Sequence, residues 1–368
     1  MAHGNDSTDE AMKVKQLKDR MEKIAHKIVV LSGKGGVGKS TVSVNLAAAL
    51  ALSGKRVGIL DVDVHGPSVP TMLGLTGQSI SANDEGMIPV TIPSLNNLAV
   101  MSVGFLIGES DSPVIWRGPM KAGVIRQLLG EVNWGDLDYL IVDCPPGTGD
   151  EPLSVIQMMV NVDGAVIVTT PQEVSAIDVS KSINFCARLA LPVIGIIENM
   201  SGFVCPHCGE VTDIFNRGGG KRLSEKYGVP FLGDIPIDPA IGVAGDLGIT
   251  VVEKHRGSPV AKMYEDIASR ISSKSSVGDG EDIMANNKIG GNMKVAIPTA
   301  NGRLNSHFGH CDNLIIFEVD EKSKTILSKS DLTPPPHEPG LLPRWLGERG
   351  INLVIAGGMG GRAQSLFA

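Results

Sequence analysis

The sequence predicts an α/β protein, with a mostly parallel sheet covered by helices on both faces and a second, smaller α/β module after it. Three observations carry this. Apolar runs at 27–31 (KIVVL), 57–60 (VGIL), 137–142 (LDYLIV), 164–169 (GAVIVT) and 193–198 (VIGIIE) alternate with helical patterns. Parallel strands buried on both faces read this way. The first run feeds a glycine-rich decapeptide, SGKGGVGKST at 32–41, which opens an alanine-rich helical stretch over 42–52. A Ser/Gly/Asn-rich stretch at 272–292 then divides a chain whose 368 residues exceed one ordinary domain. The expected layout is a lead-in helix over 1–26, a main domain over 27–272, a flexible linker over 273–292 and a small domain over 293–368.

The lead-in carries Val14, Leu17, Met21 and Ile24 at helical spacing, a packing face with no chemistry of its own. Next, Gly33 to Ser40 matches G-x-x-x-x-G-K-[ST] between a strand and a helix, the context the motif requires. Glycines here let backbone N–H groups wrap a phosphate chain that a Cβ would push away. The phosphate cradle is therefore Gly33, Lys34, Gly35, Gly36, Val37, Gly38, Lys39, Ser40 and Thr41. Lys39 supplies a point charge to the β- and γ-phosphates, Ser40 offers its hydroxyl to Mg²⁺, and the helix N-terminus adds partial positive charge. The second lysine, Lys34, is more than an ordinary phosphate loop needs. KGGVGKS resembles the deviant Walker A motif of MinD/ParA/Mrp-class ATPases. The resemblance implies a homodimer in which Lys34 reaches the partner's nucleotide, as an arginine finger does in trans.

The strand at 57–60 ends at Asp61-Val62-Asp63, acids beside the phosphate loop and in reach of Mg²⁺ and water. In the resembled class this is switch I, which implies that Asp63 positions the attacking water with Asp61 in support. Short β-like runs follow over 87–101. Trp116-Arg117-Gly118-Pro119-Met120 opens a helix with proline near its start. The run at 137–142 ends in Asp143, a Walker B pattern, so Asp143 is the expected Mg²⁺ acid. The Pro-Pro-Gly-Thr-Gly turn after it has the look of a second switch. Cys144 reads as a small buried hydrophobe. A helix over 175–189 and the strand at 193–198 continue the alternation, and that strand is expected to end at Asn199-Met200-Ser201. The resembled class implies that Asn199 contacts adenine.

Cys205-Pro206-His207-Cys208 admits three chemistries. A thiol redox pair wants a thioredoxin fold around it. A structural zinc wants four ligands where one chain offers two thiolates and a misplaced His207. Two such motifs meeting across a two-fold axis would supply four thiolates to one 4Fe-4S cluster. The ordered set SGKGGVGKST, DVDVHGPS, WRGPM, IVDCPPGTGD, ENMSGFVCPHCG, the glycine run 218–220 and VPFLGDIPIDP spans about 21–271. It resembles the Mrp/ApbC iron–sulfur cluster carrier ATPases. That resemblance implies slow ATP hydrolysis with Mg²⁺, cluster binding by Cys205 and Cys208, and delivery to apo iron–sulfur proteins or exchange with scaffold proteins. The alternative is a MinD/ParA-type positioning ATPase, which would want a basic patch or membrane anchor and has no use for CxxC.

Val260, Met263, Tyr264, Ile267 and Ile271 form the apolar face of a closing helix. Beyond the linker, strands are expected at 293–298, 314–319, 325–327 and 352–356, with a helix at 344–350. MKVAIPT, SHFG at 306–309 and the GGMGGRA end resemble the NifX-like dinitrogenase iron–molybdenum cofactor family, which implies a ribonuclease-H-like fold. The family continues to a further strand, so a truncated module is an expectation. His307, His310, Cys311 and His337 are its candidate soft-metal ligands.

A net charge of −7 gives no pull towards nucleic acid or anionic lipid. Five cysteines over this length make no disulfide framework, and neither an apolar leader nor a spanning run is present. A cytoplasmic protein without nucleic-acid or membrane partners is therefore expected.

Overall fold

The computed structural model describes residues 5–107, 118–205, 207–275, 293–300, 303–305, 308, 311–320, 325–335, 341–349, 351 and 353–358. The chain divides into two compact units, 1–280 and 281–368. In the first, α1 (Asn5–Glu22), β1 (Ile24–Leu31), α2 (Lys39–Leu52), β2 (Val57–Asp61) and α3 (Val69–Met72) come first. Then follow β3 (Ser81–Asn83), β4 (Gly86–Ile88), β5 (Val90–Ile92), β6 (Leu95–Ser102), α4 (Gly104–Ile107), α5 (Gly118–Gly130), β7 (Leu137–Asp143), α6 (Asp150–Met158), β8 (Gly164–Thr169) and α7 (Glu173–Arg188). The unit closes with β9 (Val193–Val204), β10 (Val211–Thr212), α8 (Gly219–Tyr227), β11 (Phe231–Ile237), α9 (Pro239–Asp246), α10 (Val251–Lys254) and α11 (Pro259–Ser275).

Among the described residues its main sheet runs β10-β9-β8-β1-β7-β2-β6-β5, with β11 also paired to β9. Only the β9–β10 and β5–β6 pairs in it are antiparallel. Period-two alternation shows why both faces need cover. Ile28, Val30, Ile59, Ile141, Val166 and Val168 enter one core with α2 and α11. Their neighbours Val29, Leu31, Leu60, Leu140, Val142, Ala165 and Ile167 enter the other, with α5 and α7. Helix α2 is apolar nearly all round and buried along most of its length, as a helix inside a core must be.

Three sequence boundaries are corrected. Ile24, read as the last apolar position of the lead-in helix, opens β1 and pairs with Leu137, because α1 stops at Glu22. Strand β9 does not end at Asn199. Pairing of Glu198 and Asn199 with β11, then of Phe203 and Val204 with β10, carries it on to Val204. Helix α11 runs to Ser275, which takes three residues from the expected linker.

The second unit holds β12 (Met293–Ala300), β13 (Arg303–Leu304), β14 (Asn313–Asp320), β15 (Thr325–Leu332), α12 (Leu341–Glu348) and β16 (Leu353–Val354). Its sheet order is β13-β12-β14-β15 with β16 parallel to β12. Ala296, Phe308, Leu314, Ile316 and Leu346 form its core.

Candidate functional site

The phosphate loop leaves the carboxyl end of β1, a central strand flanked by β7 and β8. Open α/β sheets bind ligands at such strand ends. Ser32, the residues 34–41, Asp63, Ser68, Met72 and Pro146 line a cavity of about 200 Å³. Gly36 and Gly38 take φ of 78° and 80°, left-handed values that a side chain resists. A Cβ on Gly38 would also lie 2.2 Å from Asn199 Nδ2. That amide donates to the Val37 carbonyl at 2.9 Å, so β9 holds the loop from behind. The oxygen of the same side chain accepts from none of the described groups.

Strand register sets the acids side by side, since Asp143 on β7 is aligned with Val30 on β1 and with Asp61 on β2. Asp143 is fully buried and takes three donors: Lys39 Nζ at 2.7 Å, Ser43 Oγ at 2.7 Å and Ser40 Oγ at 2.6 Å. Asp61 accepts from Asp63 N at 3.1 Å, Ser102 Oγ at 3.0 Å and Val69 N at 3.3 Å. Burial, with the charge of Asp143 beside it, pushes the Asp61 carboxyl up to about 7. Asp63 is half-buried at the cavity, and burial raises its carboxyl against the charge of Lys39. Lys34 also lines the cavity, and its ammonium pairs with none of the described residues.

Ser40 and Asp143 present a hydroxyl and a carboxylate, the hard oxygen donors that Mg²⁺ takes. In the structure the Lys39 ammonium neutralises Asp143. Positive charge therefore belongs at this carboxylate, and the residues fit the metal.

Cys205 and Cys208 sit at the tip of the β9–β10 hairpin, closed by Cys205 N to Glu210 O and Gly209 N to Cys205 O, both 2.9 Å. Backbone N–H groups of Cys208 and His207, with the Cys208 side chain, hold the Cys205 thiol below the ordinary cysteine value. Buried thiols elsewhere behave oppositely. Burial pushes Cys144 far up and Cys186 up to about 12, which suits the hydrophobe read at Cys144. No group of three or more His, Cys, Asp or Glu side chains fit to hold a metal occurs among the described residues.

In the second unit Cys311 is half-buried against that unit's core, and burial raises its thiol. His307, His310 and His337 lie outside the described residues, as do Trp116 and Arg117.

Sequence reading missed several residues that build the site. Ser43 stands one helical turn after Lys39, a spacing that faces both at Asp143. Ser102 ends β6 next to Asp61. Glu198 is buried and accepts from Gly218 N at 2.9 Å, Gly220 N at 2.5 Å and Ser201 Oγ at 2.5 Å, which explains the glycine run. An acid closing the apolar run at 193–198 was the available signal.

Comparison with known proteins follows the same division. A profile described as NUBPL iron-transfer P-loop NTPase matches residues 23–272, and one described as dinitrogenase iron-molybdenum cofactor matches 291–368. An iron-sulfur cluster carrier protein of Methanocaldococcus jannaschii is 55% identical over 237 residues, 64% of this chain and 81% of its own. The cytosolic Fe-S cluster assembly factor CFD1 of Saccharomyces cerevisiae is 48% identical, over 67% of this chain and 87% of its own. A nucleotide-binding protein of Archaeoglobus fulgidus, solved with ADP, superposes with a TM-score of 0.59 at 45% identity, over 67% of this chain and 94% of its own. The cell division protein MinD of Aquifex aeolicus, at 22% identity and a TM-score of 0.51 over 67% of this chain and 97% of its own, shares the fold alone. With the phosphate loop, the paired acids and the hairpin dithiol in place, and the family profile covering most of the first unit, the chain belongs to the NUBPL iron-transfer P-loop NTPase family.

Proposed function

We propose that this chain is an ATP-dependent iron–sulfur cluster carrier that works as a homodimer, with the cluster as its cargo. One observation carries the reading: two thiols stand together at a hairpin tip, Cys208 exposed and Cys205 half-buried, and no third ligand joins them among the described residues. A complete four-thiolate set then requires a second copy, and an open site between subunits is one from which a cluster can be handed on. The names of the relatives from M. jannaschii and yeast point to the same cargo.

In this reading ATP enters the cradle of residues 33–41, and Lys39 turns from Asp143 to the β- and γ-phosphates. Ser40 and Asp143 hold Mg²⁺, which neutralises charge on the phosphate oxygens. Asp63 positions the attacking water, and Asp61 fixes Asp63 through its main-chain N–H. Lys34, whose ammonium pairs with none of the described residues, completes the partner's site. The free oxygen of Asn199 accepts from the adenine amino group. Hydrolysis is slow and acts as a gate. The link from gate to cargo is β9, which carries Asn199 at the phosphate loop and leads six residues later to Cys205. Apo iron–sulfur proteins and cluster scaffolds of the cytoplasm are the partners. The 293–368 module, whose candidate ligands are His307, His310 and Cys311, handles a metal cluster in the same traffic.

Anaerobic reconstitution of the full chain tests this. The expected result is about four iron and four sulfide per two chains, with a visible charge-transfer band, and loss of both in Cys205→Ser. Zinc in place of iron, or a cluster held by a strict monomer, would sink the reading.

A further inference from the structure

Three side chains from three elements converge beside the nucleotide site without lining its cavity. Lys121 Nζ on α5 donates to Glu151 Oε1 at 2.5 Å and to His65 Nε2 at 2.8 Å. The imidazole and the carboxylate are 3.3 Å apart, which closes the triangle. Lys121 is 15% exposed and Glu151 22%, whereas His65 is 65% exposed. Burial raises the Glu151 carboxyl, but the hydrogen bond and charge of Lys121, with His65, outweigh it and hold that carboxyl below the usual glutamate value.

The positions of the three matter more than the pair's strength. His65 lies two residues after Asp63, and its main-chain N–H donates to the Asp63 carboxylate at 3.2 Å. Glu151 is the second residue of α6, at the far end of the 144–149 turn that begins at Asp143. Lys121 belongs to neither loop. One ammonium therefore ties the loop bearing Asp63 to the loop that follows Asp143, from a helix that packs outside both.

We infer that Lys121 is a positioning residue for nucleotide hydrolysis, holding the two loops in one arrangement so that Asp63 and the 145–149 turn meet the γ-phosphate together. This rests on the hydrolysis proposed above. Misplacing a reacting group by about 1 Å is worth up to ~10²-fold in rate, whereas a partly exposed ion pair adds little to stability. Turnover, not folding or nucleotide affinity, is what Lys121 controls.

The test uses the full chain with Lys121→Met, Lys121→Arg and Glu151→Gln. In Lys121→Met, kcat for ATP falls about tenfold, while KM and the Kd for a fluorescent N-methylanthraniloyl-ATP stay within about twofold. Lys121→Arg recovers most of the rate. Glu151→Gln matches the loss, and the Met/Gln double variant is no slower than either single one. Wild-type kcat in Lys121→Met, or a fall in kcat matched by an equal loss of affinity, overturns the assignment. Hydrogen exchange with Mg²⁺ and a non-hydrolysable ATP analogue decides it independently of turnover. Segments 63–69 and 145–151 gain protection together in the wild type and separately in Lys121→Met; identical protection in the two proteins overturns the tie. A wild-type chain that binds ATP without hydrolysing it counts against the hydrolysis reading, and the exchange result then decides the tie alone.

Discussion

Lys39 and Asp143 form a buried ion pair, with Nζ 2.7 Å from Oδ1 and 6% and 0% of the two side chains exposed. The cation proposed for phosphate and the acid proposed for Mg²⁺ thus neutralise each other. Ser40 and Ser43 complete the carboxylate's shell, so neither charge is left bare in the core. In the proposed reading, nucleotide entry would be an exchange of partners, with Lys39 released to phosphate and Asp143 left to hold Mg²⁺.

Removing one member leaves the other's charge buried without its counter-ion, which typically costs about 3–5 kcal/mol. Lys39→Met is therefore expected to lower the urea-unfolding free energy of the nucleotide-free chain by roughly that amount, besides abolishing ATP binding. Lys39→Met/Asp143→Asn, which removes both charges, should regain most of the stability and none of the binding. Equal stability in the wild type and the single variant would show that the pair does not persist in solution.

Asn199 offers a second exchange to measure. Its Nδ2 supports the Val37 carbonyl, and its oxygen, which accepts from none of the described groups, is the proposed adenine contact. Two hydrogen bonds at about 1 kcal/mol each set the expected loss for Asn199→Ala at ten- to thirtyfold in ATP affinity. GTP, which offers a carbonyl where ATP has an amino group, should weaken less, so the ATP/GTP ratio falls. An unchanged ratio with weaker binding of both would confine Asn199 to supporting the loop.

Such detail marks where sequence reading stops. The glycine loop was legible because its residue types recur at a fixed spacing, and Asp61, Asp63 and Asp143 because they stand at or just past the ends of apolar strands. The alternating strands were legible because both sheet faces are buried. Strand β9 was cut short at Asn199 because Asn-Met-Ser-Gly has turn chemistry, and Met200 does take a left-handed φ of 59°. Pairing with β11 and β10 overrides that local preference. Ser102 and Lys121 were illegible for another reason: each acts on a residue distant in sequence, so no spacing announces it.

Asp61 gives the pH prediction. Its carboxyl lies at about 7 in the folded chain against an ordinary value of 3.8, from burial first and then from Asp143. The folded state holds this proton more tightly than the unfolded state between those values. The group's contribution is therefore most favourable below pH ~4 and is lost as pH rises through about 7. Denaturant melts of the nucleotide-free chain in EDTA should show that decline, and Asp61→Asn should flatten it. A decline of equal size in Asp61→Asn would assign it to other groups.

Iron removal separates a carried cluster from a structural staple. Cys205 and Cys208 sit on a hairpin tip beside exposed Val204 and Val211, and neither belongs to the two cores of the first unit. A structural metal contributes folding free energy outright, and chelation then unfolds what it holds. A cargo cluster joins two chains at their surfaces and leaves each core intact. Treating the reconstituted protein with a strong iron chelator should therefore convert dimer to monomer by light scattering. The far-UV circular dichroism should be unchanged, and Tm should shift by less than about 3 °C in the presence of Mg-ATP. Cys205 and Cys208 then become open to alkylation, while Cys144 and Cys186, buried with raised thiols, stay unmodified until the chain unfolds. Loss of secondary structure on chelation would mean that the metal is part of the fold, and the carrier reading would fail with it.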